Sequence, residues 1–180
     1  CARVLAERGY EVHLREAENE LGGHMRDIMR YPGLSEHGRV ISYRETQLAK
    51  LEKRGKVEVH RGVGEMSTDD VLNYGAEKVV ICTGSSWISD GNSYMTMEPL
   101  PGIDATGPAF ATPDQILDGK ATGERVIVLD SEGYLAGIGM AEFLADQGRE
   151  VHLITQNGEV APMSHYTLEF ANIQRMLNEK

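Results

Sequence analysis

The sequence is poor in cysteine, and this scarcity excludes several kinds of site. Its 180 residues include two cysteines, Cys1 and Cys82. Two thiols this far apart cannot by themselves supply a cysteine-rich zinc site or an iron–sulfur cluster, which take about four ligands. Cys82 ends an apolar run and is predicted to be a small buried side chain. Free thiols are typical of a reducing compartment, so we expect a cytoplasmic protein.

Long hydrophobic runs and excess positive charge are also absent from the sequence. No apolar stretch approaches the roughly 20 residues that a membrane-spanning helix needs, so we expect no membrane partner. The formal net charge is −10. Because nucleic acids are polyanions, this charge argues against a nucleic acid as the main partner.

The histidines lack the spacing of a metal-binding motif such as HxxxH. His13 and His152 lie at equivalent places in two similar segments, and we interpret them as strand residues with polar contacts. No pairing of a nucleophile with a base is visible in the sequence. The sequence therefore predicts neither a metal site nor a catalytic residue within these 180 residues.

A repeated helix–glycine–strand pattern is the main feature that is present. It occurs as RVLAERGYEVHL at residues 3–14 and as EFLADQGREVHLI at residues 142–154. This pattern is the second half of a βαβ unit. It predicts an α/β fold with two Rossmann-like domains of the FAD/NAD(P)-binding type in series, at 1–110 and 111–180. The first domain is expected to be truncated at its N-terminus, because no strand precedes the first helix, and the second at its C-terminus. The chain is therefore interpreted as a fragment of a longer protein.

The remaining elements follow from periodicity and turn signals. We predict helices at 36–54, 113–118 and 134–147, a helical turn at 67–72, and strands at 10–14, 57–61, 78–82, 125–129 and 150–155. The strand 78–82, KVVIC, is expected to be buried.

Polar and glycine residues after the predicted strands form a candidate nucleotide site. Glu16 follows the strand of the first repeat, where a carboxylate can accept hydrogen bonds from the ribose hydroxyls of adenosine. Gly22-Gly23 allows the backbone to approach a ligand closely. Thr83-Gly84 follows the predicted buried strand. The alternatives are a solvated loop acid and two ordinary turns.

The stretch VIVLDSEGYLAGIG, residues 126–139, has the outline of a second phosphate-binding turn. On alignment with G-x-G-x-x-G, the three glycine positions hold Asp130, Glu132 and Leu135. Side chains there block the approach of a pyrophosphate, and the two carboxylates repel it. We therefore expect this unit to be kept for structure and NAD(P) not to bind; the alternative is that the acidic turn is a docking surface.

Four segments resemble a known family. They are EVHLREAENELGGH (11–24), YRETQ (43–47), MSTDDVLNYGAEKVVICTG (66–84) and VAPMSHYTLEF (160–170). Over essentially its whole length the chain resembles the C-terminal region of the trimethylamine dehydrogenase-like iron–sulfur flavoproteins, which are amine dehydrogenases and N-demethylases of the NADH:flavin oxidoreductase family.

The resemblance implies a larger parent enzyme. Its N-terminal TIM barrel is expected to hold FMN and a [4Fe–4S] cluster, to oxidise or demethylate a small amine, and to pass electrons to a protein such as an electron-transfer flavoprotein. The full-length protein is expected to be a homo-oligomer that contains this chain beside the barrel. The chain itself is expected to bind ADP or FAD as an accessory region and to have no turnover alone.

The resemblance also implies roles for individual residues, by matching motif positions. Glu16 would bind the ribose, Val63 would meet adenine through its backbone, and the remaining contacts would come from Gly22, Gly23, His24, Thr83 and Gly84. Two alternatives stay open: an FAD/NAD(P)H-dependent reductase of the 2,4-dienoyl-CoA reductase type, and a structural or docking module without a nucleotide.

Overall fold

The computed structural model describes residues 1–93 and 97–180. These residues form two compact units. Unit 1 comprises residues 1–29 and 35–84, and unit 2 comprises residues 30–34 and 85–180. Each unit contains helices and a small parallel sheet, which confirms the predicted α/β class. The predicted domain boundary at 110/111 stays a prediction.

Unit 1 is built around two parallel strands. Its elements are α1 (Ala2–Glu7), β1 (Val12–Arg15), α2 (His24–Ile28), a 3-10 turn (Ser35–His37), α3 (Gly38–Glu52), β2 (Val57–His60) and α4 (Thr68–Asn73). In the register of the sheet, Val12 lies opposite Val57 and Arg15 opposite His60. The helical and strand predictions for this unit agree with these bounds to within about two residues, except at 78–82.

Helices α1 and α3 cover one face of this sheet. The core contains Ala6, Leu21, Leu48, Leu51 and Val57, and Val12 and Leu14 pack against it. Because side chains alternate along a strand, the other side chains of β1 and β2 point to the opposite face. We call this opposite face, which carries His13, Arg15, Glu58 and His60, the outer face.

The predicted buried strand at 78–82 is wrong. These residues form no strand, and the side chains of Val79, Val80 and Ile81 are 51%, 53% and 80% exposed. Cys82 is exposed as well, which corrects its predicted burial. An extended segment becomes a strand only when its backbone groups find a neighbouring strand. Among the described residues, β1 and β2 pair only with each other, so this apolar run has no strand as its neighbour.

Unit 2 contains the second parallel pair. Its elements are α5 (Pro113–Leu117), β3 (Arg125–Asp130), α6 (Leu135–Asp146), β4 (Glu150–Thr155), a 3-10 turn (Pro162–His165) and α7 (Phe170–Glu179). β3 and β4 are parallel, with Arg125 opposite Glu150. Helix α6 connects the two strands and contributes most to the core, where Leu144 is fully buried. No described helix is long and apolar enough to cross a membrane.

Candidate functional site

Glu16 lies at the carboxyl end of β1 and is tied to the loop that follows β2. Its N–H donates to the His60 carbonyl at 2.8 Å, and its own carbonyl accepts the Val63 N–H at 3.3 Å. Two more backbone bonds join the same loops, from Gly62 N–H to the Glu18 carbonyl at 2.8 Å and from Gly64 N–H to the Ala17 carbonyl at 3.3 Å. The fold therefore brings Glu16 and Val63 together, although 46 positions separate them in the sequence.

The Glu16 carboxylate is oriented by its own loop. Its Oε1 accepts the N–H of Glu18 at 3.2 Å. Gly62 closes the arrangement on the other side: its φ is +65°, and a Cβ there would lie 2.3 Å from Asn19 Oδ1. Glycine is the residue that fits both the backbone conformation and the available space. Backbone hydrogen bonds thus hold the loops after β1 and β2 together, and the Glu16 carboxylate lies beside them.

Gly22, Gly23 and His24 lead from this loop into α2. Gly22 has φ +129°, and a Cβ at this position would lie 2.7 Å from Ile41 Cδ1. Gly23 has φ +48° and precedes the first residue of α2, His24. The His24 Nδ1 atom lies 3.7 Å from the Asp27 carboxylate. The glycine pair therefore allows a turn that passes close to α3.

Thr83 and Gly84 are not brought into this group. Both residues are exposed, and no hydrogen bond joins them to Glu16 or Val63 within the described residues. Their predicted place depended on the strand 78–82, which does not form. Their assignment to the nucleotide site stays a prediction.

Val63 also borders a shallow cavity of about 370 Å³. The cavity is lined by Arg15, Val63, Glu65, Met66, Asp70, Asn73 and Tyr74. The Arg15 guanidinium lies 5.5 Å from the centre of the Tyr74 ring. The hydroxyl and N–H of Ser67 donate to the Asp70 carboxylate and hold its pKa below the ordinary value. An aromatic ring, a methionine and an arginine that line one cavity suit a flat heterocycle.

A cluster of polar rings on the outer face was not predicted from the sequence. His13 Nδ1 lies 2.7 Å from the Tyr74 hydroxyl, and Glu58 Oε2 lies 3.7 Å from His13 Nδ1 and 3.4 Å from His60 Nε2. The signal was the alternation VEVH in β2, which places Glu58 and His60 on one face. The parallel register that sets His13 opposite Glu58 could not be obtained from the spacing alone.

In the acidic turn of unit 2, buried Asp130 and exposed Glu132 both accept hydrogen bonds from the backbone of the turn and of α6. Asp130 is 3% exposed, and its Oδ1 accepts the N–H groups of Glu132 at 3.0 Å and Gly133 at 3.1 Å. Glu132 Oε2 accepts the N–H of Ala136, in the first turn of α6, at 2.8 Å. These are the kind of backbone donors that bind a phosphate at a helix N-terminus. In this turn the protein's own carboxylates already occupy them.

Comparison with known proteins finds similarity to a described domain family and to parts of several longer proteins. Residues 111–180 match the family described as the OYE-like second alpha/beta domain. The chain is 42% identical to dimethylamine dehydrogenase of Hyphomicrobium sp. (strain x), over 99% of the chain and 24% of that protein.

Two solved structures share the fold along the chain. Histamine dehydrogenase from Rhizobium sp. 4-9 is 36% identical with a TM-score of 0.88, over 99% of the chain and 27% of that protein. The 6-hydroxypseudooxynicotine amine oxidase from Pseudomonas geniculata N1 is 34% identical with a TM-score of 0.89, over 99% of the chain and 26% of that protein. The chain thus spans about a quarter of the length of these relatives.

Proposed function

Since the comparisons confirm the predicted resemblance to the trimethylamine dehydrogenase-like flavoproteins, we propose that this chain is the nucleotide-binding accessory region of a longer amine oxidoreductase. The parent enzyme oxidatively deaminates or dealkylates a small amine with FMN and a [4Fe–4S] cluster, and it passes the electrons to a protein acceptor. The names of the relatives, which act on dimethylamine, histamine and 6-hydroxypseudooxynicotine, support an amine substrate. The two cysteines of this chain are too few for the cluster, so the cluster belongs to other residues of the parent.

The observation that carries this proposal is the hydrogen-bonded edge formed by Glu16 and Val63. Glu16 Oε1 accepts the Glu18 N–H, and we assign Oε2 to a ribose hydroxyl of ADP or FAD. The cavity beside Val63 receives the adenine, against Tyr74 and Arg15. Gly22 and Gly23 let the backbone pass close to the nucleotide. The residues present therefore fit the adenosine end of the nucleotide.

In this proposal each unit is a separate, incomplete Rossmann-like domain. In unit 1 the ligand lies at the carboxyl end of β1, which is where parallel α/β sheets bind nucleotides. In unit 2 the corresponding turn is filled by Asp130 and Glu132, whose carboxylates occupy the N–H groups that a pyrophosphate needs. Unit 2 accordingly serves structure or docking and does not bind NAD(P).

Calorimetric titration of ADP, FAD and NADH tests the proposal, with the 180-residue chain and with its parent protein. We expect ADP or FAD to bind the parent with a stoichiometry of one per chain. Glu16→Gln should weaken this binding by about 10- to 100-fold, because a hydrogen bond to a charged group contributes about 1.5–3 kcal/mol.

Glu18→Gln is the matched control, since it removes the same charge two residues away and leaves the Glu18 N–H in place. Equal weakening by both variants would mean that charge alone, and not the Glu16 contact, governs affinity. NADH binding that is lost when Gly133 or Tyr134 is altered would favour a reductase of the 2,4-dienoyl-CoA reductase type. A parent protein that binds none of the three nucleotides would leave this region as a structural or docking module.

A further inference from the structure

The outer face of the unit 1 sheet brings together two imidazoles and a carboxylate. His13 belongs to β1, and Glu58 and His60 belong to β2. The parallel register places His13 opposite Glu58, and strand alternation places His60 on the same face, two residues further along. The cluster is therefore fixed by backbone pairing, because each of the three residues belongs to a paired strand.

The distances within this cluster suit a small metal ion. One ligand atom from each of the three residues lies within 4.8 Å of the other two. Glu58 Oε2 is 3.7 Å from His13 Nδ1 and 3.4 Å from His60 Nε2. Tetrahedral zinc, with bonds of about 2.0–2.1 Å, holds its ligand atoms about 3.3 Å apart. The Glu58 oxygen needs to move by only a few tenths of an ångström, whereas the His13 and His60 nitrogens lie within 4.8 Å of each other and must approach by up to about 1.5 Å to bind the ion.

The surroundings orient the His13 imidazole and leave a nitrogen of His60 without a hydrogen bond. His13 Nε2 lies 3.3 Å from Glu11 Oε1, an outer carboxylate of the kind that commonly holds the second nitrogen of a metal-bound histidine. His13 Nδ1 lies 2.7 Å from the Tyr74 hydroxyl, which must move aside when Nδ1 binds the ion. His60 Nε2 is buried, and although Glu58 Oε2 lies 3.4 Å away, it makes no hydrogen bond within the described residues. A buried nitrogen without a hydrogen bond is costly unless a ligand completes it.

We propose that His13, Glu58 and His60 bind a divalent transition-metal ion of the Zn²⁺ type, with water completing the coordination. Two imidazoles and one carboxylate are donors that zinc prefers, whereas Mg²⁺ and Ca²⁺ prefer oxygen ligands alone. The site is structural: it joins β1 to β2 on the face that α1 and α3 leave open. It does not depend on the proposed nucleotide site, whose carboxylate is Glu16.

Unit 2 offers a matched control at the equivalent strand position. His152 also lies on a parallel strand, and its Nε2 lies 3.1 Å from the carboxylate of Glu150, two residues earlier. The residue opposite His152 is Ile127 rather than an acid. His152 is 59% exposed. One imidazole and one carboxylate at the surface should bind zinc weakly.

The test is calorimetric titration of zinc chloride into the full chain carrying Cys1→Ser and Cys82→Ser, which removes two exposed thiols that also bind zinc. We expect one ion per chain. Glu58→Gln and His60→Gln should each raise the Kd by about 10-fold or more, since even outer-shell partners of a metal contribute about 10- to 100-fold. His152→Gln should leave the Kd unchanged, and Mg²⁺ should not compete.

NMR of the chain with its histidines unaltered gives a second readout, which does not depend on whether the variants fold. In histidine-edited NMR spectra, zinc should shift the ring signals of His13 and His60 and leave those of His152 in place. The proposal is overturned if the two rings do not respond, if the stoichiometry is not one, or if His152→Gln weakens binding as much as His60→Gln does.

Discussion

The two units use the same helix–glycine–strand repeat and pair its strand differently. In unit 2 the repeat is α6–Gly148–β4, and β4 pairs with β3, the strand that precedes the helix. In unit 1 the repeat is α1–Gly9–β1, and β1 pairs with β2, the strand that follows it in the sequence. The strand of the repeat thus pairs with the preceding strand in unit 2 and with the following strand in unit 1.

Two similar apolar runs have different structures in the two units. VIVLD in β3 is paired along its whole length, whereas VVIC at 79–82 is exposed and unpaired within the described residues. Both runs are rich in β-branched residues, so propensity does not separate them. The runs differ in whether a neighbouring strand lies beside them, which means that strand formation here is a tertiary and not a local property.

We expect the two units to unfold separately, and truncation of a core side chain in each unit should show this with the largest effect. Leu144→Ala in unit 2 and Leu51→Ala in unit 1 each remove a buried side chain and should cost about 2–5 kcal/mol. The single tryptophan, Trp87, belongs to unit 2. In urea, its fluorescence transition should move with Leu144→Ala and stay in place with Leu51→Ala, while circular dichroism should register both. A Trp87 transition that moves equally in both variants would show that the units unfold together.

The acidic turn distinguishes unit 2 from unit 1, and Gly137 is the residue that makes room for it. A Cβ at Gly137 would lie 2.5 Å from Asp130 Cγ. Gly137→Ala should therefore destabilise unit 2 by about 1–3 kcal/mol, as overpacking does. Asp130→Gly should recover most of this loss, because it removes the atoms that collide.

A double-mutant cycle on thermal unfolding measures this coupling. Gly139→Ala is the control, because a Cβ there would approach the Tyr31 ring and not Asp130. Its cost should add to that of Asp130→Gly without rescue. Additive costs for Gly137→Ala and Asp130→Gly would contradict the packing of Asp130 against this glycine.

The unpaired run at 79–82 gives a prediction about the parent protein. If the parent supplies a strand along the free edge of β1, as β3 lies along β4, that strand can also pair with 79–82. We expect the amides of Val79, Val80 and Ile81 to exchange with solvent rapidly in the 180-residue chain and slowly in the parent. Val57, paired in both, is the internal reference. Equal exchange at 79–81 in the two proteins would show that this run is a loop in both.

The sequence predicted those parts of the fold whose signals are local. The helix predicted at 36–54 forms as α3, where Ile41, Leu48 and Leu51 share the spacing of one helix face and all three are buried. The helical turn predicted at 67–72 forms as α4, which Ser67 and Asp70 cap. The prediction of a strand at 78–82 was wrong because a strand needs a neighbouring strand, which the local sequence does not specify. The cluster of His13, Glu58 and His60 was missed for a related reason: it depends on the register between two strands that are far apart in the sequence. The contact of Glu16 with Val63 was implied by the family resemblance and not by spacing.

The two units also differ in the side chains that cap their short helices, α4 in unit 1 and α5 in unit 2, and this difference should have the smallest effect on stability. In unit 1, Asp70 accepts the Ser67 N–H at 2.9 Å; in unit 2, Gln115 accepts the Thr112 N–H at 3.2 Å. Only the first of these two acceptors titrates. The Ser67 hydroxyl and N–H hold the pKa of Asp70 below its ordinary value. A lowered carboxyl pKa stabilises the folded state above the ordinary carboxyl pKa, near pH 4, and this contribution is lost as the pH falls through the lowered value.

Acid titration followed by NMR measures this effect at single residues. Ser67→Ala should raise the pKa of Asp70 toward the ordinary carboxyl value and should fray the first turn of α4. Asp104 in unit 2 is the control, since the hydroxyl and N–H of Thr106 lower its pKa in the same way and do not involve Ser67. A pKa of Asp70 that does not change in Ser67→Ala would mean that another interaction, such as that with the nearby charge of Arg15, lowers this pKa. Movement at Asp70 with none at Asp104 would show that each unit sets the protonation of its own acids locally.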